Sequence, residues 1–248
     1  FYGLAPKLFS EAGIALSSTW HNFAFWAREK GHKYTYDLMI PYQFAQQLAK
    51  NFHNQIKFWE FWNEPELSFW DGTAWEFAST AKAAYLGFKA GDPGITVLFG
   101  PATLRNPCQF VQTSLQSDLN CYFDIFSYHC YSEEKLLEEI IRDLRNVLQK
   151  NGVPDSVPMW ISEFNDFSLG RSGEAPGLCP DYKEHSYRQE IAISRMLVKK
   201  AAQFQQLGIA RLFFFSLMPV SERNGTASWG LLRRDYTIKA GYTALANL

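Results

Sequence analysis

"KFWEFWNEPELSFW", residues 57–70, sets three glutamates among three tryptophans and three phenylalanines. Aromatic residues crowd its first half, and Pro65, which cannot donate to a ladder, follows directly. It reads as a strand over 57–64. Strand side chains alternate, so Glu60 and Glu64 share a face: Glu64 closes the strand, and Glu60 lies one layer deeper among bulky neighbours. A carboxylate buried there needs a cation or a hydrogen-bond donor, which makes Glu60 structural. Glu66, past the proline, reads as a solvated or rim residue in a loop.

Five more stretches share this character: "GIALSSTW" (13–20), "ITVLFGP" (95–101), "FDIFSYHCY" (123–131), "PMWISEF" (158–164) and "ARLFFFSL" (210–217). Amphipathic helices separate them. Thr73 and Glu76 form a T-x-x-E capping box, apolar steps run through Ala78, Ala81, Tyr85 and Phe88, and Gly91 and Pro93 end the helix. A second helix spans about 132–150, with Leu137, Ile140, Ile141, Leu144 and Leu148 on one face, and a third spans roughly 184–207 and closes at Gly208.

Alternation of strand and helix predicts a parallel α/β fold. The expectation is one (β/α)8-barrel (TIM) domain over 1–248 with about two strands missing at the front, residues 1–12 being the end of a preceding helix. A doubly wound open sheet is the alternative, but its glycine-rich phosphate turn is absent.

The 248 residues carry 24 Lys and Arg against 25 Asp and Glu, a balance that argues against nucleic acid or an anionic membrane as partner. No apolar run approaches the ~20 residues of a membrane span. Cys108, Cys121, Cys130 and Cys179 form no C-x-x-C pair, and the five histidines have no i, i+4 spacing, so the sequence calls for no metal or cofactor. Buried free thiols are the expectation. The chain starts at Phe1, so a native start and any leader are expected upstream; secretion or a periplasmic location is compatible with that.

In a (β/α)8 barrel, functional side chains gather at the C-terminal ends of strands. Two such ends carry a glutamate, Glu64 and Glu163. Facing carboxylates suit glycosidic-bond hydrolysis, one protonating the leaving oxygen and the other attacking or activating water. Spacing alone favours the plainer reading, that both merely end strands and cap neighbouring loops.

"WNEP" (62–65), preceded by "FWEF" and followed a hundred residues later by "WISEF" (160–164), resembles the retaining glycoside hydrolases of clan A, and family 39 and its relatives most. The segment 63–102, "FDIFSYHCY" and "WGLLRRDYTIKAGYTAL" are similar to corresponding segments of that group, so the resemblance covers 13–248. It implies that the visible strands are 3 to 8, that Glu64 is the acid/base, and that Glu163 is the nucleophile. Asn63 would bond the sugar 2-hydroxyl, His129 would contact the sugar, and Tyr131 would hydrogen-bond the nucleophile. Trp20 and His21 would line the same subsite.

Two departures stand out. The arginine these enzymes carry near strand 2 would lie upstream, and "FFFSLMP" (213–219) replaces the usual tryptophan after strand 8. Trp229 is the candidate substitute platform, and Trp70 a second one over the cleft. Trp26, Trp59, Trp62, Trp75 and Trp160 read as packing, Asn224 as a turn and not a glycosylation site, and 165–185 as a long loop shaping the cleft.

The implied activity is retaining hydrolysis of a β-linked oligosaccharide or polysaccharide, β-xylosidase-like first and family 5-like endoglycanase next. A barrel that binds sugar without cutting it is the alternative from another class. A phosphate-handling isomerase barrel lacks its glycine-rich loops.

Overall fold

The computed structural model describes residues 4–103, 108–166, 175–176, 183–222 and 227–248. The chain divides into two compact units, Phe1–Tyr128 with Asp143–Met159, and His129–Arg142 with Trp160–Leu248.

In the first unit, α1 (Leu4–Glu11) leads into β1 (Leu16–Trp20), α2 (Met39–Asn51), β2 (Ile56–Phe61), α3 (Ala74–Gly91), β3 (Thr96–Leu98) and α4 (Cys108–Gln116). The sheet order β1-β2-β3 is parallel throughout, and single parallel bridges continue it from Leu98 to Ile125 and from Ala102 to Tyr128. Parallel strands need crossovers, and the intervening helices supply them. The capping box over Thr73 and Glu76 is present in both directions. Burial pushes the Glu76 carboxyl up, but bonds from Thr73 and Tyr34 and the nearby His32 hold it below the usual range. Inside α3, Gly87 faces the backbone carbonyl of Tyr42 on α2 with no room for a Cβ, so glycine there sets the close approach of the two helices.

β4 (Phe126–Cys130), α5 (Leu137–Lys150) and β5 (Met159–Phe164) begin in one unit and end in the other or the reverse, following the division of the sequence. Past them come the short pair β6 (Ala175–Pro176) and β7 (Lys183–Glu184), then α6 (Tyr187–Gln206), β8 (Arg211–Phe214), the antiparallel pair β9 (Val220–Glu222) and β10 (Ala227–Trp229), and α7 (Ala240–Ala246). Here the sheet order is β4-β5-β8, with β5 and β8 parallel through Trp160–Arg211, Ile161–Leu212 and Phe164–Phe214. Ser186 caps α6 in a second box with Gln189. The buried face of α6 carries Glu190, Ile193, Met196, Leu197, Lys200 and Phe204, and its two charged members are paired: Arg233 grips Glu190 at 2.9 and 2.6 Å.

Every expected strand is present, each shorter than its sequence reading. Among the described residues these strands lie in two parallel three-stranded sheets, in keeping with the expected α/β fold. The sequence reading also passed over α4. Among the described residues no helix is long and apolar enough to cross a membrane. Of the thiols, Cys130 is buried but Cys121 is exposed, against the expectation of burial. Asn224 and most of 165–185 lie outside the described residues.

Candidate active site

β2 ends at Phe61, three residues before the expected end at Glu64. Trp62 adds one rung by donating its backbone N–H to the Trp20 carbonyl at 2.7 Å, and the chain then leaves the ladder. Trp62 has φ 71° and Glu64 φ 40°, both left-handed and both non-glycine. Such residues cost about 1–3 kcal/mol each and collect at functional sites. Packing holds the first: the Trp62 ring is fully buried against Phe23 (5.8 Å), Phe61 (5.8 Å) and Trp70 (5.0 Å). Pro65 opens the following turn, in which Leu67 N–H returns to the Glu64 carbonyl at 3.0 Å. Asn63 and Glu64 emerge half-buried from this bend.

Glu60 is buried, and the Thr19 hydroxyl on the neighbouring strand, its partner in register, donates to it at 3.0 Å. The donor that its burial demanded is therefore a local hydroxyl. Glu66 is half-buried and accepts the backbone N–H of Thr103, so it braces its loop instead of lining an open rim.

Trp20 closes β1 but is buried among Phe23, Phe44, Phe61 and Phe88, which leaves it a core residue. It floors a cleft of about 320 Å³ shared with Phe23, Trp26, Phe44, Asn22 and Gln43. His21 is exposed, accompanied by Asn22 at 2.8 Å and by the rings of Trp62 and Phe69, and desolvation lowers its pKa. Trp70 offers no platform: it is buried, stacked on Tyr34 at 4.7 Å, with its indole N–H given to the Thr73 carbonyl at 3.1 Å. Trp59, Trp62 and Trp160 are packed as expected, whereas Trp26 and Trp75 are 84% and 57% exposed.

In the second unit three predicted residues meet. His129 on β4 and Tyr131 just past its end are two apart and share a face. Glu163, next to last on the adjacent β5, receives the Tyr131 hydroxyl at 2.5 Å, and the fully buried His129 places Nδ1 3.4 Å from the same oxygen. One carboxylate oxygen is thus held by a phenol and an imidazole. Trp229 is buried beside them, 5.9 Å from the Tyr131 ring and 6.4 Å from Phe215, so it walls the tyrosine and is not an open platform.

Sequence reasoning did not single out the support behind these residues. Lys200, wholly buried, donates to the carbonyls of Ser132 and Asn165 at 2.6 Å each and pairs with Asp166 at 3.3 Å. The signal was available, because Lys200 interrupts the run of Ile193, Met196, Leu197 and Phe204 on the buried face of α6. Burial pulls its pKa down, against the pull of Asp166.

No curated protein matches the chain. Its fold is similar to a glucosidase from Croceicoccus marinus (TM-score 0.72, 16% identity, 96% of this chain and 50% of that one). It is also similar to a GH51 arabinofuranosidase from Xanthomonas axonopodis pv. citri (TM-score 0.69, 10% identity, 98% and 53%) and a monomeric β-xylosidase from Caulobacter crescentus CB15 (TM-score 0.56, 17% identity, 84% and 45%). The chain spans about half the length of these neighbours. Their low identity speaks for the fold, while the family follows from sequence: residues 29–234, well over half the chain, match the family described as glycosyl hydrolase catalytic core, a span that includes Glu64 and Glu163. With an α/β fold shared with TIM-barrel glycosidases and that match together, the chain belongs to the glycosyl hydrolase catalytic core family.

Proposed function

We propose that the protein is a retaining glycoside hydrolase, with Glu163 as nucleophile and Glu64 as acid/base, built on strands 3 to 8 of a (β/α)8 barrel and acting on a β-linked, neutral or mildly charged sugar. The observation that carries this reading is the environment of Glu163: a carboxylate near a strand end with one oxygen held by the Tyr131 hydroxyl and flanked by His129, the surroundings that would orient an attacking carboxylate. The bend at Trp62–Glu64 supports the other role, since it turns a half-buried carboxyl off the ladder where a bare strand end would not.

In the first step Glu163 attacks the anomeric carbon while Glu64 gives a proton to the departing oxygen. In the second, Glu64 takes a proton from water as that water displaces Glu163. Retention requires the two carboxyl groups about 5–5.5 Å apart around the anomeric centre, and inversion about 6.5–9.5 Å. Asn63, next to Glu64, bonds the sugar 2-hydroxyl, a contact that tightens as the oxocarbenium-like transition state forms. His21 borders the same subsite. β-Xylosides are the first substrates to try, in keeping with the family 39 resemblance and with a neighbour that is itself a β-xylosidase.

The test is a panel of aryl β-xylosides, β-glucosides, β-glucuronides and β-mannosides with product stereochemistry followed by NMR, beside Glu64→Ala and Glu163→Ala. Net retention is expected. Loss of Glu64 should slow substrates with poor leaving groups on the order of 10²–10⁴-fold. Saturable sugar binding without turnover by the unmutated protein, or an inverted first product, defeats the proposal.

A further inference from the structure

Lys200 occupies a step of α6 whose neighbours Ile193, Met196, Leu197 and Phe204 are apolar and buried. An ammonium in such a place is costly unless every hydrogen finds a partner, and a Met of similar volume would fill the site without that cost. Here all three hydrogens are used: the carbonyls of Ser132 and Asn165 accept at 2.6 Å, and Asp166 Oδ2 lies at 3.3 Å.

Where those acceptors sit is informative. Ser132 directly follows Tyr131, and Asn165 and Asp166 follow Glu163 by two and three residues. One buried charge therefore joins the chain just past β4 to the chain just past β5, one and two residues in sequence from the two side chains that share the 2.5 Å hydrogen bond. Asn165 extends the tie, its backbone N–H reaching the Cys130 carbonyl at 3.4 Å and its side-chain amide the Phe215 carbonyl at 2.6 Å, beyond β8. Lys200 is too far along the chain from either strand for this to be a local cap. An apolar side chain could fill its volume but could not bond two carbonyls from different strands.

We infer, resting on the glycosidase reading above, that Lys200 is a positioning residue, clamping the β4 and β5 exits so that Tyr131 and Glu163 stay in hydrogen-bond register. It touches no substrate.

The test pairs Lys200→Met with Asp166→Asn, so that neither buried charge is left alone, in the whole protein. The double variant should unfold cooperatively, and its crystal structure should show the Tyr131–Glu163 hydrogen bond broken. With an aryl glycoside, kcat per site, counted by trapping with a 2-fluoro glycoside, should fall about tenfold with KM falling alongside it, the pattern expected for loss of the same bond in Tyr131→Phe. Adding Tyr131→Phe to it should then cost little more, because the bond is already lost. A purely structural lysine predicts the opposite pattern: lower stability, the bond intact, and an undiminished Tyr131→Phe effect, any of the last two overturning the inference. Should the double variant fail to fold, Lys200→Arg keeps the charge but replaces a tetrahedral set of donors by a planar fork, and the same distance is read from its crystal structure. If the parent protein cleaves none of the glycosides, the glycosidase reading falls, and the distance still decides the role of Lys200.

Discussion

Replacing Tyr131 by Phe removes one hydroxyl and leaves the ring contacts with Phe215 at 6.3 Å and Trp229 at 5.9 Å. The fold should therefore hardly notice, and the change removes the 2.5 Å bond to Glu163. A hydrogen bond to a charged group contributes about 1.5–3 kcal/mol. At about 1.4 kcal/mol per tenfold, its full loss would be worth roughly 10- to 150-fold in rate. His129 Nδ1, 3.4 Å from the same oxygen, keeps part of that support, so the lower end applies.

The direction follows from charge. Forming the glycosyl ester removes negative charge from Glu163, and cleaving it restores the charge, so the phenol assists the second step more than the first. With a good aryl leaving group, Tyr131→Phe should lower kcat about tenfold, lower KM with it as the intermediate accumulates, and show a burst in stopped-flow absorbance. An unchanged kcat, or equal falls in kcat and kcat/KM without a burst, would refute the assignment of Tyr131 to a charge that reappears on Glu163.

Two further outcomes concern the scaffold. Gly87→Ala places a methyl against the Tyr42 carbonyl and must push α2 from α3, costing about 1–3 kcal/mol in a urea unfolding experiment; a neutral result would mean the helices are not in the close contact described. Burial raises the Cys130 thiol from 9.0 to about 11, against the smaller opposing effects of the Ser132 backbone and Lys200, so at pH 8 its thiolate is roughly a hundredfold scarcer than that of an ordinary cysteine. Folding thus favours the protonated thiol, and this contribution to stability is complete below pH 9 and lost as pH rises toward 11. Iodoacetamide at pH 8 followed by peptide mapping should label the exposed Cys121 and spare Cys130 until urea is added; equal labelling contradicts this burial.

Much of the scaffold was readable because local chemistry announces it. Thr73 with Glu76 at N3 satisfies helix-end donors wherever the pair occurs, and the structure contains that box. The aromatic strands were placed for the same reason, but their ends were overrun. Nothing in "WNEP" says that Trp62 and Glu64 adopt left-handed backbone, since neither is a residue that favours it. Tryptophan is equally suited to a sugar face and to a core, so Trp70 and Trp229 could be assigned only once their neighbours were known.

The amino-acid sequence alone determined an alternating α/β chain, a glutamate near the end of β5 and another shortly past β2, and a His-x-Tyr that puts both side chains on one face, because period, capping and turn chemistry act over a few residues. Tertiary structure decided what requires residues distant in the chain to become neighbours. It set Tyr131 against Glu163, 32 positions on, and tied Lys200 to Ser132, 68 positions away. Those bonds exist only because β4 and β5 are adjacent and α6 buries a charge against their exits, and no local pattern encodes that adjacency.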